Sequence, residues 1–313
     1  MPYPYNIEDI NKRAGDDPKG FALECEAIYS RKVMEAAAGI SERTQLSRVV
    51  FLSGPSGSGK TTTALKICDA IKNLGIYAHT VSMDMYFLAS DREEAPRTDD
   101  GEHDLESPYC LDLELLNEQF DNIDKGEEVI IPHFCFNIQD RDLSKGKPLK
   151  LGKDEIVIFE GIHALNDMLA DEHPNAFKLY ISARSDIERN NEICFKRTWT
   201  RLLRRVVRDE LFRGMGASRT INMWANVRDG EKRYISPFKY KADLLFDSSM
   251  AYEVPIMKEL AYKALSEVPD GTNRLDELRS LLPALEEFTE IDSDLVPPES
   301  ILREFIGGGI YSQ

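Results

Sequence analysis

Residues Gly54-Pro55-Ser56-Gly57-Ser58-Gly59-Lys60-Thr61 have the spacing G-x-x-x-x-G-K-[ST], in which each position has a task in holding phosphate. Glycines let backbone N–H groups turn inward around an anion where a Cβ would obstruct. A helix opening at Thr61 and Thr62 would add the partial positive charge of its unpaired amides. Lys60 is long enough to reach β- and γ-phosphoryl oxygens, and the Thr61 hydroxyl is placed to ligate Mg²⁺. The loop residues Gly54, Ser56, Gly57, Ser58, Gly59, Lys60, Thr61 and Thr62 are therefore the candidate nucleotide-binding set.

Such a loop can serve a GTPase switch, a transport or remodelling ATPase, or a small-molecule kinase. No Asn-Lys-x-Asp guanine clamp and no Leu-Ser-Gly-Gly signature occurs, which speaks against a GTPase and an ABC-type ATPase. A kinase needs an acid for the metal, a base for the acceptor hydroxyl and cations over the transferring phosphoryl group. Glu160 ends an apolar run and precedes Gly161, so it would stand at the tip of a buried strand and hold Mg²⁺ directly or through water. Asp84 closes the run after the loop helix and could accept a hydroxyl proton; an N-cap or Asx-turn is its plainer use. Lys196, Arg197, Arg201, Arg204, Arg205, Arg208 and Arg213 crowd one helical stretch. Arg201, Arg204, Arg205 and Arg208 fall three or four apart on one face, which suits a phosphate-binding lid better than a solvated surface paired with Asp209 and Glu210.

The elements that must position these groups follow from the hydrophobic pattern. A helix is expected over 21–39, then the apolar run 49–52 leading into the loop, then a helix with Ala64, Ile67, Cys68, Ile71 and Leu74 on one stripe, stopped by Gly75. Further strands are expected at 77–82, 129–134, 156–159, 177–181 and 244–246. Several are unbroken apolar runs, as in strands buried on both faces of a mainly parallel sheet, and helical patterns separate most of them. The stretch 128–151, broken by Gly146, Lys147 and Pro148, reads as a β-hairpin arm. Past Tyr252 the pattern is helical, with a Pro297-Pro298 break before a last short helix and Gly307-Gly308-Gly309. The expected division is an N-terminal helical extension (1–46), an α/β kinase domain (47–252) and a C-terminal helical extension (253–313).

Composition narrows the partners. A net charge of −16 over 313 residues opposes extended binding to DNA or RNA, while one local basic patch could still hold an anionic small molecule. The five cysteines are scattered without metal-ligand spacing and read as small buried hydrophobes in a reducing compartment. No stretch approaches the about 18–20 apolar residues of a membrane helix, and the first residues lack a signal-peptide pattern, so a cytoplasmic protein is expected.

Together these motifs resemble the uridine (uridine–cytidine) kinases and the related phosphoribulokinases, over about two thirds of the chain. Asp84-Met85-Tyr86-Phe87 is similar to the family's Asp-x-Phe-Tyr, whose Asp is the catalytic base, so the resemblance brings Asp84, Tyr86 and Phe87 to the acceptor. The stretch from Asp104 to Asp112 resembles a segment in which Glu106 stands where an Asp holds ribose hydroxyls. Phe159-Glu160-Gly161-Ile162 matches the metal-carboxylate segment, and the stretch from Thr200 to Asp209 with Arg213-Gly214 resembles the lid. By that match Arg201 faces the acceptor and Arg204 the ATP phosphates; Arg208, on the same cationic face, is a further candidate for the nucleotide. In the base-recognition hairpin Phe134 replaces a Tyr, Phe136 is kept and Gln139 replaces a His. A glutamine amide can donate and accept toward a uracil or cytosine edge, and could equally serve another base or a sugar-like acceptor.

The resemblance implies a P-loop kinase fold of the α/β class, ATP as donor, Mg²⁺, and a nucleoside-like acceptor with no nucleic-acid or membrane partner. A homo-oligomer is left open. The expected roles are catalysis by Asp84, Lys60 and Arg204, and metal binding by Thr61 and Glu160. The alternatives are a kinase for another alcohol or a sugar phosphate, and a non-catalytic nucleotide-binding regulatory module.

Overall fold

The computed structural model describes residues 4–89, 91–98, 101, 103–135, 137–269 and 275–311. At its centre lies a five-stranded sheet of β1 (Val49–Ser53), β2 (Tyr77–Ser82), β3 (Glu155–Gly161), β4 (Phe177–Ser182) and β5 (Leu244–Asp247). The strand order is β2-β3-β1-β4-β5 and all pairings are parallel. The three inner strands β1, β3 and β4 are buried nearly throughout, as a parallel sheet covered on both faces requires, whereas the edge strands β2 and β5 are partly exposed.

Alternate side chains face opposite layers. Val50, Leu52, Ile156, Ile158, Leu179 and Ile181 enter one core cluster, whereas Val49, Phe51, Val157, Phe159 and Tyr180 enter the other. The first layer holds α1 (Ile7–Asp16), α2 (Pro18–Arg43), the loop helix α3 (Lys60–Lys72) and the arginine-bearing α4 (Arg197–Phe212). The helix Leu113–Asp124 covers the other face, with Phe120 against Phe51 and Phe159. Asp17 caps α2 through the Gly20 amide and Pro18 occupies its first turn, which explains why this helix starts before the first periodic residue.

The residues before 47 and after 252 pack into the same cluster as the sheet. Tyr29 of α2 shares a buried 2.6 Å hydrogen bond with Thr63, and Ile301, Leu302 and Phe305 are fully buried. The arm at 128–151 consists of two short antiparallel pairs, Val129–Ile131 with Lys147–Leu149 and Phe134–Cys135 with Asp140–Arg141. Tyr5–Asn6 adds a strand to a separate small sheet with Ile187–Arg189 and Glu192–Phe195, a pairing with no local sequence signal. No described helix is long and apolar enough to cross a membrane.

The chain leaves β1 for β2 on one side of the sheet and later places β4 on the other side. A crevice therefore opens at the carboxyl ends of β1 and β3, where ligands bind in open α/β sheets.

Candidate active site

Three strand ends converge on that crevice. Glu160 of β3 is paired with Leu52 of β1 on one side and Ser82 of β2 on the other. The phosphate loop leaves β1 directly after Ser53, and Asp84 follows β2 in a short 3-10 turn. The hydroxyl of Ser82 caps this turn by accepting from the Asp84 amide at 3.3 Å, so Asp84 is not itself the cap.

The loop depends on missing side chains. Gly57 (φ +74°) and Gly59 (φ +82°) adopt left-handed conformations, and a Cβ on Gly59 would stand 2.1 Å from Ile301 Cδ1. A Cβ on Gly54 would stand 2.0 Å from the Ile181 carbonyl oxygen of neighbouring β4. Lys60 opens α3, and its ammonium lies 3.5 Å from the Pro55 carbonyl oxygen, curled over the loop.

A cavity of about 620 Å³ opens above the loop. Ser56, Gly57, Gly59, Lys60, Thr61 and Thr62 line it, and Asp84, Glu160 and Arg208 face them. Thr61 Oγ1 donates to Glu160 Oε1 at 3.2 Å. Burial pushes the Glu160 carboxyl up to about 7, against the pull of the Lys60 ammonium. A buried, raised carboxylate beside a hydroxyl at a phosphate loop fits a divalent cation, which would restore the charged form. No cluster of three or more His, Cys, Asp or Glu with metal-ligand geometry occurs among the described residues. The Thr61 hydroxyl and Glu160 carboxylate are a donor pair that suits Mg²⁺, which takes one or two protein ligands and completes its shell with phosphate and water. The Asp84 carboxyl is likewise raised by burial, with Lys60 and Arg213 opposing.

The arginines of α4 divide by position. Arg208 and, just past the helix, Arg213 reach the cavity. Arg204 does not: it is fully buried beneath the loop, where its Nε donates to Glu253 Oε2 at 2.6 Å and its Nη2 to the Ser248 carbonyl at 2.7 Å. Its Nη1 reaches the Gly57 and Ser58 carbonyls at 3.2 and 3.4 Å. Arg201 is also behind the loop, donating to the Ser56 carbonyl at 3.0 Å and to Glu231 Oε2 at 2.9 Å. The expected direct contacts of Arg204 with phosphate and Arg201 with acceptor are thus replaced by a grip on the loop's carbonyl side. Helical spacing puts these arginines on one face, but only those near the helix end outreach the loop.

Arg205, Arg208 and Arg213 share the single carboxylate of Asp209, and Arg201 and Arg228 share that of Glu231. Five guanidinium groups pair with these two carboxylates, and Glu106 near Arg205 and Asp84 and Glu304 near Arg213 are their further acidic neighbours.

A second cavity, of about 300 Å³, is largely apolar and takes in Phe87, Leu105, Phe134 and Gln139, with Arg92 and His103 at polar positions. The Phe87 and Phe134 rings meet edge to face at 5.6 Å. Tyr86, expected beside them, is instead fully buried and donates to Gln119 Oε1 at 2.6 Å. The 3-10 turn rotates it into the core while Phe87 lines the cavity. Phe136 lies outside the described residues. Glu106 packs against Gly230, where a Cβ would stand 2.3 Å from the Glu106 Cβ, and burial raises its carboxyl to about 7 despite Arg205 and Lys60.

Sequence reasoning missed the contribution of the chain's end. Arg303, Glu304, Gly307, Gly308 and Tyr311 line the phosphate cavity, and the Thr62 amide donates to Glu304 Oε2 at 3.2 Å.

Loop, sheet order and acidic strand tip together define a P-loop kinase. A model of the phosphoribulokinase/uridine kinase family matches residues 49–255, and the chain belongs to this family. It is 24% identical over 232 residues to a uridine kinase of Halobacterium salinarum, covering 74% of this chain and 93% of that one. It is 28% identical over 214 residues to a uridine kinase of Macrococcus caseolyticus, covering 66% and 91%. The crystal structure of a candidate fructose transport system kinase from Silicibacter sp. TM1040 superposes with a TM-score of 0.50 at 22% identity. That superposition covers 68% of this chain and 98% of the other, a likeness of fold alone.

Proposed function

We propose that the protein transfers the γ-phosphate of ATP to a hydroxyl of a nucleoside-like acceptor, with the 5′-hydroxyl of uridine or cytidine as first candidate. The observation that carries this reading is the convergence of Lys60, the Thr61–Glu160 pair and Asp84 on one cavity. Names of relatives support the acceptor class: the Halobacterium and Macrococcus proteins are uridine kinases.

The loop amides and Lys60 would hold the β- and γ-phosphates, with Thr61 and Glu160 holding Mg²⁺. When bound, the metal supplies charge neutralisation and alignment of the phosphoryl oxygens. Asp84 faces the same cavity with its carboxylate free of hydrogen bonds from described residues, and a pKa raised by burial makes it a better proton acceptor. Arg208 and Arg213 are the cations placed to offset charge on the transferring group, while Arg201 and Arg204 act through the loop they brace. Phe87 and Phe134 offer an aromatic seat for a base and Gln139 a donor–acceptor pair for its edge.

A second reading rests on Arg92 and His103 in the apolar cavity, which favour an acceptor that already carries an anion, such as a sugar phosphate. An acceptor panel with Mg²⁺ and ATP, scored by ADP release, tests both. Stimulation by uridine or cytidine supports the first and stimulation only by phosphorylated sugars the second. No stimulation by any alcohol would overturn the transfer reading.

A further inference from the structure

We propose that the C-terminal segment 301–311 is a displaceable wall of the nucleotide site, in which the Glu304 carboxylate holds a phosphate-loop amide that a nucleotide's phosphate must take. The proposal rests on the loop being a nucleotide site, and adds that the protein carries its own competitor for it.

Glu304 Oε2 accepts from the Thr62 amide at 3.2 Å, at the opening of α3 and inside the phosphate cavity. One N–H cannot serve a carboxylate and a phosphate oxygen together. The Glu304 and Glu160 carboxylates also face the same cavity, so an incoming polyphosphate meets two like charges until one is moved or neutralised. The placement is built in by packing rather than by Glu304 alone. Ile301 fills the space left by the missing side chain of Gly59, and the Phe305 ring lies 5.2 Å from the Arg204 guanidinium carbon. These anchors, with Leu302, are fully buried, whereas Glu304 between them is only half-buried. Its side chain can therefore swing off the amide while the anchors stay.

Beyond it the segment is held by polar contacts rather than by buried side chains: Arg303 Nη1 donates to the Gly307 carbonyl at 3.2 Å and the Ile310 amide to the Pro298 carbonyl at 2.9 Å. Gly307 (φ +84°) and Gly308 (φ +75°) turn the backbone beside Phe212 at the end of α4. Tyr311 then donates to Asp69 Oδ2 at 2.6 Å, and the Lys66 ammonium lies 5.8 Å from its ring centre. A deep anchor, a glycine hinge and a shallow clasp at the surface give a flap that can open without unfolding the core.

Calorimetric titration of the full-length chain with pyrophosphate, and separately with Mg²⁺ and ADP, tests this. Glu304→Ala is expected to bind pyrophosphate about tenfold more tightly than wild type, the effect of one charged hydrogen bond removed from competition. Glu304→Gln, which keeps an acceptor but not the charge, should lie between. Tyr311→Phe removes the hydrogen bond to Asp69 while keeping the ring in the cavity wall, keeps the test valid should Glu304 variants misfold, and should shift affinity in the same direction by a smaller factor. Hydrogen exchange at 307–311 should quicken when ADP binds. Affinities equal within about twofold across the set would overturn the proposal and leave the nucleotide site standing. Weaker binding by Glu304→Ala would make Glu304 a nucleotide contact and also overturn it. Failure of wild type and variants alike to bind either probe would sink the nucleotide reading, and this proposal with it.

Discussion

Replacing Arg204 by methionine separates bracing of the loop from contact with phosphate. The Arg204–Glu253 pair is closed at 2.6 Å and both residues are at most 1% exposed. Removing the guanidinium leaves Glu253 with the Met250 amide at 2.9 Å as its remaining described hydrogen-bond donor, and strips the Gly57 and Ser58 carbonyls of theirs. Breaking a buried pair by removing one partner costs about 3–5 kcal/mol. Arg204→Met should therefore lose roughly 4 kcal/mol of unfolding free energy in urea titrations, at the upper end of what single substitutions do. Nucleotide affinity, read by calorimetry with Mg²⁺ and ADP, should fall as well, because the loop's carbonyl side is no longer fixed. Adding Glu253→Gln removes the stranded charge and keeps an acceptor for Met250, so the double variant should regain more than half of the lost stability without regaining affinity. A single variant that stays within about 1 kcal/mol of wild type yet loses turnover by a factor of about 10³ would refute this account. It would put the guanidinium on the transferring phosphoryl group instead.

Asp84→Asn should keep nucleotide affinity and lower kcat by about 10²–10⁴, the range for loss of a general base, whereas an unchanged kcat removes Asp84 from the chemistry. Gly59→Ala forces a side chain into a φ of +82° and against Ile301, and should destabilise by about 1–3 kcal/mol in the same urea titration; a neutral result would mean that the tail is not seated there. The Glu106 carboxyl is raised from 4.5 to about 7 in the folded protein, so the unfolded chain ionises first and stability present at pH 4.5 is lost as pH rises through 7. The wild type should be weaker at pH 8 than at pH 5 by about 1–3 kcal/mol more than Glu106→Gln, and equal slopes in the two proteins would contradict the burial of that carboxyl.

Local sequence determined a great deal of this protein. The phosphate loop needs its glycines, lysine and threonine in one consecutive run, and β1 and β3 announce themselves as unbroken apolar segments between helical patterns, with β4 interrupted only by Lys178. Glu160 was legible because a polar residue at the end of such a segment lies at a strand tip, and Asp84 because it follows the strand after the loop helix, in the turn that leaves the sheet.

Tertiary structure alone decided the rest. Tyr86 and Phe87 are adjacent aromatic residues, and only the turn capped by Ser82 determines that one enters the core and the other a cavity. Arg204 and Arg208 are one helical turn apart on one face, and their difference comes from where the loop crosses beneath α4. Glu304 is separated by 242 positions from the amide that it holds. Spacing along a chain reports neighbours within one element, whereas contacts between elements are set by how whole faces pack, and no short motif encodes that.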